Sequence, residues 1–187
     1  MRVGLDVDGV VASFGESFTA LAEQMGLKGA YFTPQEEQEK WSFPFHVDPV
    51  WAVIGQSMNW WMTLRPLVDE EEVRALNRLI RDNSVYFITN RGRIAGLPVE
   101  DQTRLWLQSI GVHAEHVIAT NRKGPLCGAL DLEWFIEDKV ENLEDIQAHG
   151  VTAIARRWKY NERSGFPFVN NLLTVDTLGD DLKWLKS

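Results

Sequence analysis

The stretch Arg2-Val3-Gly4-Leu5-Asp6-Val7-Asp8-Gly9-Val10 decides the fold. Its apolar positions Val3, Leu5 and Val7 read as a short strand over 2–7, of the kind covered on both faces in a parallel sheet. Asp6 and Asp8 close that strand, and Gly9 lets the backbone turn sharply after them. Strand alternation puts both carboxylates on one face. In an open parallel sheet, ligands gather beyond the carboxyl ends of the strands. Two carboxylates this close are costly unless a cation such as Mg²⁺ joins them. Two solvated acids before a turn give the same local pattern, so Asp-x-Asp-Gly alone leaves both readings open.

Outward from this segment, similar apolar runs recur at Val85–Ile88, Val117–Ala119, Trp134–Ile136 and Thr152–Ala155. Helical patterns fill the gaps: 70–81, 98–110 (Pro near its start, Glu100 and Asp101 in its first turn, Gly111 past its end), a helix after Lys123, and 142–149. This alternation predicts an α/β fold with a parallel sheet. Residues 13–67 break the rhythm. A helix over 14–25 is followed by a loop-prone stretch with Pro34, Pro44 and Pro49, then a helix near 50–62. Trp41, Trp51, Trp60 and Trp61, half of the eight tryptophans, lie there with Phe43 and Phe45. The expectation is a small helical cap, 14–67, inserted into a core made of 1–13 and 68–187. A closing helix is expected over Leu178–Leu185, carrying Trp184.

Composition narrows the partners. With 187 residues the chain is about one domain. A net charge of −8 argues against coating a long nucleic acid, which wants a basic face. A small phosphate remains open to an acidic protein if a metal or a few cations reverse the local sign. One cysteine, Cys127, forbids an internal disulfide and suggests a reducing, cytoplasmic setting. Asp6 and Asp8 interrupt what would be a signal-peptide core, and no run approaches a membrane span. The four histidines lack ligand spacing, and a homodimer is left open.

The remaining strand ends bear on Asp6 and Asp8. Thr89-Asn90-Arg91-Gly92 offers a hydroxyl, backbone N–H groups and a cation suited to phosphate oxygens. Lys123 can neutralise a phosphate as a point charge. Glu137-Asp138 could complete an oxygen-rich Mg²⁺ site. Each has a bland reading, as a turn, a solvated loop or surface acids. Together, four successive strand ends carry what metal-assisted phosphoryl transfer needs. Arg91 and Arg93 could touch phosphate or ribose, or lie on the surface. Phe14, Trp60, Trp61 and Phe43 could offer a flat face to a base, although a small cap also needs aromatics for its own core.

In this order, Asp6-Val7-Asp8-Gly9-Val10, Thr89, Lys123 and Glu137-Asp138 resemble the haloacid dehalogenase (HAD)-like phosphatase superfamily. The resemblance spans most of the chain. It implies a Rossmann-like three-layer α/β/α core with a C1-type cap after the first strand. It also implies roles. Asp6 would be the nucleophile and Asp8 the acid and base; dehalogenases lack the second aspartate. Thr89, helped by the Asn90 N–H, would hold the phosphoryl group, and Lys123 would neutralise charge. Asp6, the Asp8 carbonyl and Asp138 would hold Mg²⁺. Where many members have Asp-Asp, this chain has Glu137-Asp138, so the part played by Glu137 stays open. The segment from Trp51 to Leu67, with Trp60-Trp61 before Leu64-Arg65-Pro66, is similar to the 5'(3')-deoxyribonucleotidase family, as is Arg157-Trp158-Lys159-Tyr160-Asn161. The implied activity is Mg²⁺-dependent hydrolysis of a small phosphate ester, a (deoxy)nucleoside monophosphate, through an aspartyl-phosphate. A sugar phosphate, a nucleic-acid 3'-phosphate or a non-catalytic binding module are the alternatives, with Phe14, Trp60, Trp61, Asn90 and Arg91 as substrate contacts.

Overall fold

A computed structural model describes residues 1–31, 34, 37 and 42–179. Six strands form one parallel sheet in the order β5-β4-β1-β6-β7-β8. They are β1 (Arg2–Leu5), β4 (Ser84–Thr89), β5 (His116–Ala119), β6 (Trp134–Glu137), β7 (Thr152–Arg156) and β8 (Phe168–Val169). The strand quoted first is therefore central, flanked by β4 and β6. Val3 and Leu5 are fully buried on one face. On the other, Gly4 lets Phe135 lie flat across the strand; a Cβ at Gly4 would fall 2.3 Å from that ring. The small Gly4 is thus what lets this strand be covered on its second face as well.

Helices cover both faces. α3 (Glu70–Asp82) and α4 (Val99–Ser109) pack with Val3, Leu5, Phe87 and Trp106 in one core cluster. α5 (Lys123–Ala129) and α6 (Val140–Ala148) meet the opposite face through Cys127, Phe135, Leu143 and Ile146. α3 starts on a capping box: the Asp69 carboxylate accepts from the Glu71 and Glu72 N–H groups, and the Glu72 carboxylate from the Asp69 N–H. Among the described residues, no helix is long and apolar enough to cross a membrane.

The interval between β1 and α3 leaves and returns at one point. β2 (Ala12–Ser13) pairs antiparallel with β3 (Arg65–Pro66), and the Leu67 N–H donates to the Val11 carbonyl. Between them lie α1 (Phe14–Gln24), α2 (Asp48–Gln56) and a 3-10 turn at Trp60–Met62. The helix expected over 50–62 thus splits in two, because Asn59 takes a left-handed φ of 56° that an α-helix cannot carry. Phe14, Phe18, Phe45, Trp60 and Trp61 of this interval belong to the same core cluster as β1 and α3. Three strands were not expected. β2, β3 and β8 are two residues each, too short for a periodic signal. Trp41 and most of the expected helix 178–185, Trp184 included, lie outside the described residues.

Candidate functional site

The central position of β1 brings three strand ends together. Beyond Leu5 the chain turns tightly, with the Val11 and Ala12 N–H groups both donating to the Val7 carbonyl. Gly9 sits at φ +82°, and a Cβ there would fall 2.1 Å from an Asp138 carboxylate oxygen. Only glycine lets this turn approach the end of β6 so closely. The Trp158 indole N–H donates to the Gly9 carbonyl at 2.7 Å and fastens the turn from the β7 side.

Asp6, Glu137 and Asp138 form a buried cluster, each offering a carboxylate oxygen, with those oxygens within 4.8 Å of one another. Lys123, at the start of α5, places its ammonium 2.7 Å from Asp6 and 2.6 Å from Glu137. Three carboxylates around one ammonium leave an excess of buried negative charge. Burial, reinforced by the Glu137 carboxylate, pushes the Asp6 carboxyl up to about 8. Burial, with Glu137 and Asp6, also holds Asp138 well above the usual range. Burial acts upward on Glu137 most strongly of all, but the Lys123 ammonium together with hydrogen bonds from Lys123, Asp138 and Lys139 outweighs it and takes that carboxyl down to about 2. For Lys123, burial acts downward; Asp6 and Glu137 overcome it and the net direction is up. Asp138 accepts the Tyr160 hydroxyl at 2.6 Å on one oxygen. Its other oxygen, Oδ1, is buried with no hydrogen-bond partner among the described residues. An orphaned carboxylate oxygen beside two further acids is a donor set that fits a hard divalent cation.

Asp8 lives differently. Its side chain is partly open, and Arg91 grips it with two bonds, Nε to Oδ2 at 3.0 Å and Nη2 to Oδ1 at 2.8 Å. The Thr89 hydroxyl lies 3.3 Å from the same Oδ2. Thr89 ends β4 and is buried, while Asn90 beside it is exposed. Asp6, Asp8, Thr89, Lys123 and Asp138 are therefore brought to one end of the sheet.

The expected substrate contacts fare unevenly. Arg91 is not a surface cation waiting for phosphate: its side chain is fully buried and engaged with Asp8. Trp60 and Trp61 are 8% and 1% exposed and Phe14 is 8% exposed, so the three pack in the core. Trp51, stacked on Phe14 with ring centroids 5.8 Å apart, is 41% exposed. A cleft of about 460 Å³ opens beside Arg91, lined by Arg93, Leu97, Pro98 and Glu100 among others. Cys127 is buried, and burial pushes its thiol up to about 12, as for a packed rather than a reactive group.

The part of Glu137, left open by the sequence, is that of a full partner of Lys123. Sequence reasoning missed other members of the site. Asn161 donates to both the Asp138 and the Arg156 carbonyls at 2.7 Å, tying the loop after β7 to the end of β6. Tyr160 and Asn161 stood in a segment noticed for its resemblance, without signal of what they touch.

Comparisons with known proteins bear on the family and the fold. A family model described as "5' nucleotidase, deoxy (Pyrimidine), cytosolic type C protein" matches residues 1–164. No curated protein matches the chain by sequence. Among solved structures, a HAD family hydrolase from Deinococcus radiodurans R1, determined with bound phosphate and sodium, aligns with a TM-score of 0.64 at 13% identity, covering 97% of this chain and 96% of that one. A putative beta-phosphoglucomutase from Thermotoga maritima aligns at 0.55 and 12% identity, covering 97% and 99%. CbbY from Rhodobacter sphaeroides, in complex with phosphate, aligns at 0.52 and 13% identity, covering 93% and 95%. At such identities the likeness is one of fold.

Proposed function

This chain belongs to the family of cytosolic type C 5' (deoxy, pyrimidine) nucleotidases, HAD-like hydrolases, and from that premise we propose that it hydrolyses a deoxynucleoside monophosphate through an aspartyl-phosphate on Asp6. The observation that carries the reading is the buried cluster of Asp6, Glu137 and Asp138 around Lys123, with Asp8 two residues away. Phosphoryl transfer asks a protein mainly for positioning and charge neutralisation, and this arrangement supplies both. Asp6, Asp138 and the Asp8 carbonyl would hold Mg²⁺, whose charge would neutralise the phosphoryl oxygens and the surplus of carboxylates.

In the first step an Asp6 carboxylate oxygen attacks phosphorus and the bond to the ester oxygen breaks. Asp8 gives its proton to that leaving oxygen. In the second, Asp8 takes a proton from water, the water oxygen attacks phosphorus, and the Asp6–phosphorus bond breaks to release phosphate. Lys123 holds Asp6 in place by its 2.7 Å contact and offsets the charge developing there. Thr89 and the Asn90 N–H hold the phosphoryl oxygens. Glu137 keeps Lys123 oriented rather than replacing a metal ligand. The single buried cysteine fits a cytoplasmic setting.

The test is a panel of deoxynucleoside monophosphates, sugar phosphates and aryl phosphates with Mg²⁺, run on the wild type and on Asp6→Asn. Deoxynucleoside monophosphates are expected to rank first, and Asp6→Asn to release no phosphate while keeping the wild-type circular dichroism. Sugar phosphates ranking equally would defeat the nucleotide assignment, and undiminished release by Asp6→Asn would defeat the mechanism.

A further inference from the structure

Arg91 is more firmly held than a substrate-binding cation needs to be. Nε and Nη2 go to the two oxygens of Asp8, and Nη1 donates to the Thr103 hydroxyl at 3.1 Å. Thr103 passes its own proton to the Val99 carbonyl at 2.8 Å, so its oxygen is oriented to accept. The guanidinium carbon lies 5.0 Å from the Trp61 ring and 5.6 Å from the Trp106 ring. Each indole is anchored in turn, Trp61 Nε1 on the Gly92 carbonyl at 3.0 Å and Trp106 Nε1 on the Leu64 carbonyl at 2.8 Å. A planar fork on a carboxylate fixes direction as well as distance. Desolvating a guanidinium is costly, and here the cost is offset by a hydrogen bond from each of its three nitrogens and by two indole rings.

Asp8, by contrast, sits on a turn outside the regular strand. Left alone, its carboxylate would sample several rotamers. We propose that Arg91 is a positioning residue for Asp8, holding that carboxylate where it can pass a proton to and from the reacting oxygen. It thereby makes the seat of Trp61, from the segment between β2 and β3, part of the catalytic geometry. The proposal rests on the reading of Asp8 as acid and base. It differs from a phosphate-binding role, because a phosphate could reach Arg91 only by breaking the fork.

Arg91→Met, Arg91→Lys and Thr103→Val separate these roles, with Asp8→Asn alongside, in steady-state assays on phenyl phosphate and p-nitrophenyl phosphate with Mg²⁺. Phenoxide is the poorer leaving group and depends more on a delivered proton. Arg91→Met is expected to lower kcat/KM on phenyl phosphate by about 10- to 100-fold, as misplacement of a reacting group does. The loss on p-nitrophenyl phosphate is expected to be smaller, with KM and inhibition by inorganic phosphate within about twofold of wild type. Arg91→Lys, which lacks the fork, should show the same pattern. Thr103→Val, which removes one hydroxyl from a folded α4, should show it at about threefold. A raised KM with weakened phosphate inhibition and an unchanged kcat would make Arg91 a substrate ligand and overturn the proposal. Equal losses of kcat/KM on both esters, a quantity that reports the first transfer alone, would reduce Arg91 to packing and overturn it too. If Asp8→Asn itself keeps the wild-type contrast between the esters, the reading of Asp8 fails and the proposal falls with it. If Asp8→Asn loses the contrast while the Arg91 and Thr103 variants keep it, only Arg91 has been misassigned.

Discussion

Two regions meet at the carboxyl end of the sheet, and they are built on opposite terms. Around Asp6 the side chains are charged, buried and mutually constrained: Lys123 bridges Asp6 and Glu137, and Tyr160 caps one oxygen of Asp138. In the segment between β2 and β3 they are aromatic and held by shape. Phe14 alone has Phe18, Phe43, Trp51, Trp60 and Trp61 around it, with ring centroids between 5.3 and 6.3 Å. In the first region, residue identity follows from chemistry, and a substitution removes a function. In the second it follows from volume, and a substitution removes stability. Arg91 joins the two, with Asp8 on one side of its guanidinium and Trp61 on the other.

The contrast can be broken most forcefully at Lys123. Lys123→Met leaves Asp6 and Glu137 buried without their cation. It is expected to abolish phosphate release and to cost about 3–5 kcal/mol in urea denaturation of the metal-free protein. If Lys123→Met were active and as stable as wild type, the charged region would not be organised as described. Apart from Trp61, whose ring backs Arg91, the aromatic region should answer in stability alone. Trp61→Ala empties a fully buried site and is expected to cost about 3–5 kcal/mol. Trp51→Ala, at a half-open position, should cost about 1–1.5 kcal/mol. Equal losses from the two would mean that burial does not rank these rings.

The smallest effect expected is in pH. Burial and Glu137 raise the Asp6 carboxyl from 3.8 to about 8 in the folded chain. The folded state therefore binds the proton more tightly than the unfolded one. That contribution to stability is full below pH 3.8 and is lost as pH rises through about 8. Glu137 works the other way. Its carboxyl is lowered from 4.5 to about 2, so its contribution is present above 4.5 and is lost only as pH falls toward 2. Above pH 4.5 Asp6 governs over Glu137, and the metal-free protein should melt at a lower temperature near pH 8 than near pH 5. Mg²⁺, which binds the deprotonated cluster, should raise the melting temperature more at the higher pH. A metal-free melting temperature that climbs from about pH 5 to about pH 8 would contradict this electrostatic picture.

Much of this was legible in the amino-acid sequence, for a physical reason. The strands at Arg2, Ser84, His116, Trp134 and Thr152 are buried on both faces, so each shows as an apolar run. The strand ends carry Asp6, Asp8, Thr89, Lys123 and Asp138, whose chemical types are unusual together. What stayed hidden depends on contacts between distant residues. Nothing local to Phe168–Val169 marks an edge strand; it pairs because β7 lies beside it. Nothing near Arg91 says that its guanidinium turns inward to Asp8 and Thr103 instead of outward to solvent. Trp60 and Trp61 look from composition like faces offered to a base, and their burial is decided by α1, α2 and α4 closing over them. Asn161 reaches Asp138 across a loop that no periodicity describes.

The central claim, that Asp6 carries the phosphoryl group, is tested most directly by acid quench during turnover of a deoxynucleoside monophosphate with Mg²⁺, followed by mass analysis of the peptide containing Asp6. We predict one added phosphoryl group on that peptide in the wild type and none in Asp6→Asn. An unmodified Asp6 peptide throughout steady turnover, with phosphate release undiminished in Asp6→Asn, would contradict the claim.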